Sequence, residues 1–221
     1  MSRSDLFTVK EILLSDSMGP AEIPELSRLK GHNIFAVRLD RLETKLNSKY
    51  PALSDLRVVR RFPDQIVVNA VRREPFARAV LNGRQLLIDR EGYFLGTAYA
   101  EQAALPLVKG MRSARTSSGS RINDDRYAVA SSIITAFRSN RSLESLPLRS
   151  IDIADTLHIV CEAGEGEEEE IEVIVDAKSF TPRLAELGVL VSRQEVDLSG
   201  VKYVDLRFGA PIIAQKKHNS P

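Results

Sequence analysis

The sequence predicts an α+β protein: an N-terminal unit of order β-α-α-β-β, then a mostly antiparallel β domain with two helices packed on its sheet. Three observations predict this class. Between Leu56 and Pro75 two runs rich in β-branched residues flank Phe62-Pro63-Asp64, which is a hairpin signal. Ahead of that hairpin, leucines recur at helical spacing in two short stretches. After it, short apolar runs are separated by turn signals such as Asn82-Gly83 and Glu91-Gly92, and only two later stretches carry a helical stripe.

In chain order, Phe7–Leu14 reads as a first strand and Gly19-Pro20 as punctuation. Ile23, Leu26 and Leu29 fit a short helix that Gly31 ends. His32–Val37 leads into a second helix with Leu39, Leu42 and Leu46 on one face. Asp40 in its first turn and Lys45 and Lys49 near its end suit the helix dipole, and Pro51 stops it. In the second hairpin strand, Ile66, Val68 and Ala70 share one face while Val67, Asn69 and Val71 share the other. Apolar groups on both faces mark an inner strand. Arg60-Arg61 and Arg72-Arg73 keep its ends in water, and Pro75 closes it. A domain boundary falls near Glu74-Pro75.

Phe76–Leu81 and Arg84–Ile88 then form a hairpin about Asn82-Gly83, where both turn residues tolerate positive φ. Tyr93–Leu95 follows the Glu91-Gly92 turn. Ser113–Arg121 reads as a surface loop, with a basic docking loop as the alternative. Asn123-Asp124-Asp125 caps a helix whose apolar stripe is Tyr127, Ala130, Ile134 and Phe137. Leu148–Ile153, Leu157–Cys161 and Ile171–Val175 read as strands. The glutamate block between Glu162 and Glu172 is a solvated turn, because the spaced Asp, Asn and Gly pattern of a calcium loop is missing. Thr181 as N-cap and Pro182 in the first turn open a helix lined by Phe180, Leu184, Leu187 and Val191. A last hairpin joins Val201–Phe208 to Pro211–Ala214 through Gly209-Ala210. Its Val204 and Leu206 face the core, and Tyr203, Asp205 and Arg207 share the other face. Residues 215–221 are a flexible tail.

Composition narrows the function classes. Over 221 residues the formal net charge is +1, so no global field recruits nucleic acid or an anionic surface. One cysteine, Cys161, excludes an internal disulfide framework and a multi-cysteine metal site. No apolar run approaches the roughly 18 residues of a spanning helix. No nucleophile elbow, phosphate loop or dinucleotide fingerprint occurs, and His32, His158 and His218 lack metal-ligand spacing. No metal, cofactor or small-molecule substrate is called for. Sequence cannot pair carboxylates across a fold, so a cell-wall polysaccharide enzyme stays open as an alternative.

Several segments carry a resemblance. Asn33-Ile34-Phe35-Ala36-Val37, Tyr50-Pro51, Val58-Val59-Arg60-Arg61-Phe62-Pro63 and Arg73-Glu74-Pro75-Phe76-Ala77 resemble a POTRA domain, and more narrowly that of the bacterial cell-division family FtsQ/DivIB. Leu87–Leu95, Leu105–Gly110 and Tyr203–Gly209 are similar to the same family. The resemblance implies a POTRA domain over 6–75, an FtsQ-type β domain over 76–214, and no enzyme activity. It also implies a single-pass protein of the cell inner membrane, with this region on the extracytoplasmic side. The anchor helix implied ahead of the first strand is not in this chain, either cut away or truly lacking.

The implied role is a divisome scaffold that binds FtsB and FtsL by strand addition at its C-terminal edge and helps control septal peptidoglycan synthesis. Upstream division proteins such as FtsK are implied partners of the POTRA half, with Arg60 and Arg61 as surface candidates. The implied docking residues are Tyr203, Asp205, Arg207, Phe208, Pro211, Ile212 and Ile213, flanked by Arg183 and Arg193. The family commonly has Tyr where this chain has Phe208. From residues alone, the final strands read either as an edge guarded by Asp205 and Arg207 or as one held open for a partner. In the second reading Arg207 supplies specificity through a partner carboxylate. A polypeptide escort in outer-membrane assembly or secretion is the other binding alternative.

Overall fold

A computed structural model describes residues 5–15, 23–112, 119–166, 170–193 and 198–216. Gly19-Pro20, most of the Ser113–Arg121 loop, Glu167–Glu169 and most of the tail lie outside them. The chain divides into two compact units, Met1–Glu74 and Pro75–Pro221. Both are mixed α+β.

Unit 1 contains β1 (Glu11–Leu14), α1 (Pro24–Ser27), α2 (Leu39–Lys49), β2 (Leu53–Arg61) and β3 (Gln65–Arg72). The sheet order is β1-β3-β2, so the hairpin's second strand is the central one, parallel to β1 and antiparallel to β2. One sheet face packs the core: Leu56, Val58, Ile66, Val68 and Ala70, with Leu46 of α2 and Ile34, all but sealed from water. Burying each such side chain contributes about 1.5–3 kcal/mol. The first strand is shorter than Phe7–Leu14. A 3-10 turn takes Asp5–Phe7, and the Val9 amide donates to the His32 carbonyl before sheet pairing begins at Glu11.

Unit 2 contains β4 (Ala77–Leu81), β5 (Arg84–Ile88), β6 (Phe94–Thr97), β7 (Leu107–Lys109), α3 (Arg126–Ser139), β8 (Leu148–Asp152), β9 (Ile159–Ala163), β10 (Ile171–Val175), α4 (Phe180–Ser192), β11 (Val201–Asp205) and β12 (Ile212–Gln215). They form one nine-stranded sheet of order β12-β11-β10-β9-β8-β7-β4-β5-β6. Most pairs are antiparallel, but β4–β7, β7–β8 and β10–β11 are parallel. Parallel neighbours need a crossover. The one from β7 to β8 carries α3 and the one from β10 to β11 carries α4. The core takes Tyr127, Ala130, Ile134 and Phe137 of α3, adding Ile133, and Leu184 and Leu187 of α4, with Phe180 and Val191 partly buried against it. Asn82 (φ 51°) and Gly83 (φ 72°) make the expected β4–β5 turn.

The Asn123-Asp124-Asp125 cap is present, and the Thr181 cap is not. Within it, Asp124 is the residue whose side chain accepts, from the Arg126 amide (3.1 Å) and from the Arg112 amide (2.7 Å). Helix α4 starts at Phe180, ahead of Thr181. Asp176 serves that end, accepting from the Lys178 and Ser179 amides at 2.7 and 2.8 Å. An aspartate that closes an Asx turn just before a helix satisfies free amides from outside the cap position.

Candidate docking edge

The expectation that Tyr203–Arg207 lies in an edge strand is overturned. β11 has β10 on one side and β12 on the other, so this end of the sheet opens along β12. The reason is α4, which returns the chain parallel to β10 and leaves room for one more antiparallel strand. Ile212 and Ile213 are therefore on the free edge, while Tyr203 and Asp205 are one strand in. Tyr203 is half-buried opposite Ala214, and Asp205 stands opposite Ile212.

The strand parity read from the sequence holds for the core side: Val204 and Leu206 are buried, and the Leu206 amide donates to the Ile174 carbonyl at 2.8 Å. It holds less well for the other side, where Asp205 is only 6% exposed. Arg207 explains how a carboxylate sits there. Its Nε donates to Asp205 Oδ1 at 3.0 Å and its Nη2 to Oδ2 at 2.7 Å, while its backbone amide donates to Oδ1 at 3.1 Å. This two-pronged pairing is the strongest arrangement for a guanidinium and a carboxylate. It holds the Asp205 carboxyl below the usual range and raises the Arg207 guanidinium. A partner carboxylate reaching Arg207 must therefore compete with Asp205.

The connection from β11 to β12 is tied down from both ends. Arg207 Nη1 reaches the Leu157 carbonyl at 3.4 Å, and its guanidinium lies 5.4 Å from the Phe208 ring centre. From α4, Arg183 donates to the Gly209 carbonyl at 3.2 Å and to Glu186 at 2.9 Å. Between these ties Phe208 stands 52% exposed and Ile212 48% exposed, with Ile213 also open on the opposite face. Pro211 is half-buried in the turn. Arg193 caps the far end of α4, roughly 15 Å along the helix from Arg183. The structure therefore does not bring the two arginines to one spot.

Leu157 is the apolar side chain that sequence reasoning missed. It is exposed in the turn before β9, and its carbonyl receives Arg207. Read as a strand residue it had no reason to stand out. The Asp155 carboxylate accepts from the Leu157 amide at 2.9 Å, which delays the strand to Ile159 and turns Leu157 outward.

In unit 1, Arg60 is engaged rather than free: its Nε donates to the Ile34 carbonyl at 2.9 Å and its Nη2 to the Val37 carbonyl at 2.7 Å. Arg61 is exposed. Among the described residues, no group of three or more His, Cys, Asp or Glu could hold a metal ion, and no helix is long and apolar enough to cross a membrane.

No family model matches the chain. It is 36% identical over 75 residues to the cell division protein FtsQ of Rickettsia bellii, a stretch covering 34% of this chain and 27% of that protein. It is 36% identical over 92 residues to the cell division protein FtsQ of Myxococcus fulvus, covering 39% of this chain and 32% of that protein. Against the cell division protein FtsQ of Koribacter versatilis the identity is 23% over 197 residues, 86% of this chain and 55% of that protein. The chain thus spans about a quarter to a third of the first relatives it matches, and about half of the last. All three relatives are named cell division protein FtsQ, and the resemblance to that family read from the sequence is borne out as a similarity.

Proposed function

We propose that the chain is a non-catalytic scaffold of the bacterial divisome, with unit 1 acting as its POTRA domain and unit 2 as the FtsQ-type β domain. It works on the extracytoplasmic side of the cell inner membrane. It binds FtsB and FtsL by strand addition along β12, and through that contact helps control septal peptidoglycan synthesis. FtsK is a partner of unit 1. The observation that carries this reading is the free edge of β12, which no other strand among the described residues pairs on its outer side and which exposed Phe208, Ile212 and Leu157 flank. An open edge offers a row of main-chain donors and acceptors to an extended segment, and neighbouring apolar groups set its register.

The test is binding of this chain to the extracytoplasmic part of its own FtsB–FtsL pair, with Phe208→Ala and Ile212→Lys as variants. Phe208 is solvent-facing, so its loss leaves the fold intact by circular dichroism and weakens binding roughly tenfold or more. Ile212→Lys puts a charge on the edge and blocks pairing. Arg207→Glu is a poor probe, because it sets a second carboxylate against Asp205. Full binding by both variants, or none by the parent chain at high micromolar concentration, sinks the edge-docking reading.

A further inference from the structure

In unit 1 three phenylalanines pack in a row with tilted ring planes. The ring centres of Phe7 and Phe35 are 5.3 Å apart, and those of Phe35 and Phe62 are 5.4 Å apart. Phe35 and Phe62 are each more than half exposed, as is Leu6, the chain neighbour of Phe7. A chain that collapsed freely would fold these rings inward. Instead the loop that presents Phe35 is held rigid. Asn33 Oδ1 accepts from the Phe35 amide at 2.9 Å, the two Arg60 bonds fix the carbonyls of Ile34 and Val37, and Ile34 is plugged fully into the core. Phe62 stands at the turn between β2 and β3. The result is a fixed apolar knuckle.

Its size argues for what it meets. A phenylalanine offers about 150–250 Å² in all, so Phe35, Phe62 and Leu6, each about half exposed, present roughly 300 Å². A specific protein partner needs about 800 Å² on each side. A knob of aromatic rings on a rigid turn, with long cations beside it, suits instead the interfacial layer of a bilayer, where apolar rings sink to the acyl boundary and basic side chains reach the phosphates. Arg61 is exposed next to Phe62, and Lys10 and Arg38 have mostly exposed side chains. Asp64 and Asp40 partner these last two, and Glu11 is also near, so the aromatic rings lead the contact and the cations only assist it. We propose that the Phe35–Phe62 knuckle of unit 1 rests in the headgroup layer of a lipid bilayer, as a peripheral contact independent of the β12 edge.

The chain contains no tryptophan, so a single one reports cleanly. Phe62→Trp, and separately Phe35→Trp, are mixed with vesicles of phosphatidylethanolamine carrying a minority of phosphatidylglycerol. The expected result is a blue shift of emission on lipid addition, and a fall of roughly tenfold or more in vesicle partition for the Phe35→Ser/Phe62→Ser chain. Phe208→Ala, which tests the docking edge, leaves partition unchanged. Circular dichroism confirms that each variant folds. The proposal is overturned by the absence of both shift and co-sedimentation, or by partition that survives the double serine change. A shift that needs protein concentration rather than lipid also overturns it, since a second copy of the chain would then be the occupant.

Discussion

Arg207 holds Asp205 through two parallel hydrogen bonds from a position two residues further along the chain, and in doing so it buries a carboxylate beside the proposed docking surface. Removing either partner should therefore be felt as stability before it is felt as affinity. For Asp205→Ala we expect a loss of about 1–3 kcal/mol in urea unfolding, because the Arg207 side chain and amide lose their acceptor. For Arg207→Ala the loss is about 1–2 kcal/mol, discounted because the guanidinium is a quarter exposed. In the double variant the two losses combine to less than their sum, and the shortfall measures the coupling.

Acid should expose the same pair. Asp205 is held down by Arg207, Asp124 by Arg126, Asp176 by Ser179 and Glu162 by Ser150, while Glu25 is brought to about 2 by Lys49 and Tyr50. All five bind protons more weakly folded than unfolded. Their contribution is complete above the unfolded values near 4, and it drains away as pH falls through the folded ones. Urea midpoints are expected to stay level between about pH 5 and 8 and to drop below about pH 4.5. The Asp205→Asn chain should show a shallower drop. A drop of equal steepness would remove Asp205 from the set.

Gly110 follows β7 with φ 78°, and a Cβ there would overlap the Ala154 amide and the Asp152 carboxylate. Neither neighbour can step aside easily, since Asp152 Oδ1 accepts from the Ala154 amide at 2.9 Å. Gly110→Ala should destabilise unit 2 by about 2–4 kcal/mol, read as a fall in urea midpoint with no change in slope. Gly83→Ala, also at positive φ but in open space, should cost only about 1 kcal/mol.

Cys161 is sealed in the middle of β9, and burial pushes its thiol well above the ordinary range. It should not react with a thiol-specific disulfide reagent in the native chain and should label fully in denaturant. Fast labelling under native conditions would mean that this part of the sheet opens readily.

Local patterns made much of this legible. The apolar residues on both faces of Ile66–Val71 marked the central strand of unit 1, Asn82-Gly83 marked the β4–β5 turn, and the Tyr127–Phe137 stripe marked a helix against the sheet. What stayed hidden was long-range. Nothing in Tyr203–Asp205 announces that α4 returns it parallel to β10, so its place one strand from the edge could not be read. Asp205 looked like a solvent-side charge because alternation gives the face and not what folds over it. Arg207 looked available because its acceptor, though only two residues away, could as well have pointed to water. Asp176 was hidden behind Thr181, the more obvious cap.

The sheet's docking end also has a place in time. β12 is the last of the nine strands in chain order, added outside β11 after the other eight have been made. During synthesis this surface is therefore absent until everything beneath it has left the ribosome. A chain clipped a few residues before Ile212 keeps its core and loses only its outermost strand, baring β11 where Tyr203 and Asp205 are now covered. On the proposed docking reading, such a clipped chain presents the inner edge of β11 to its partner in place of β12.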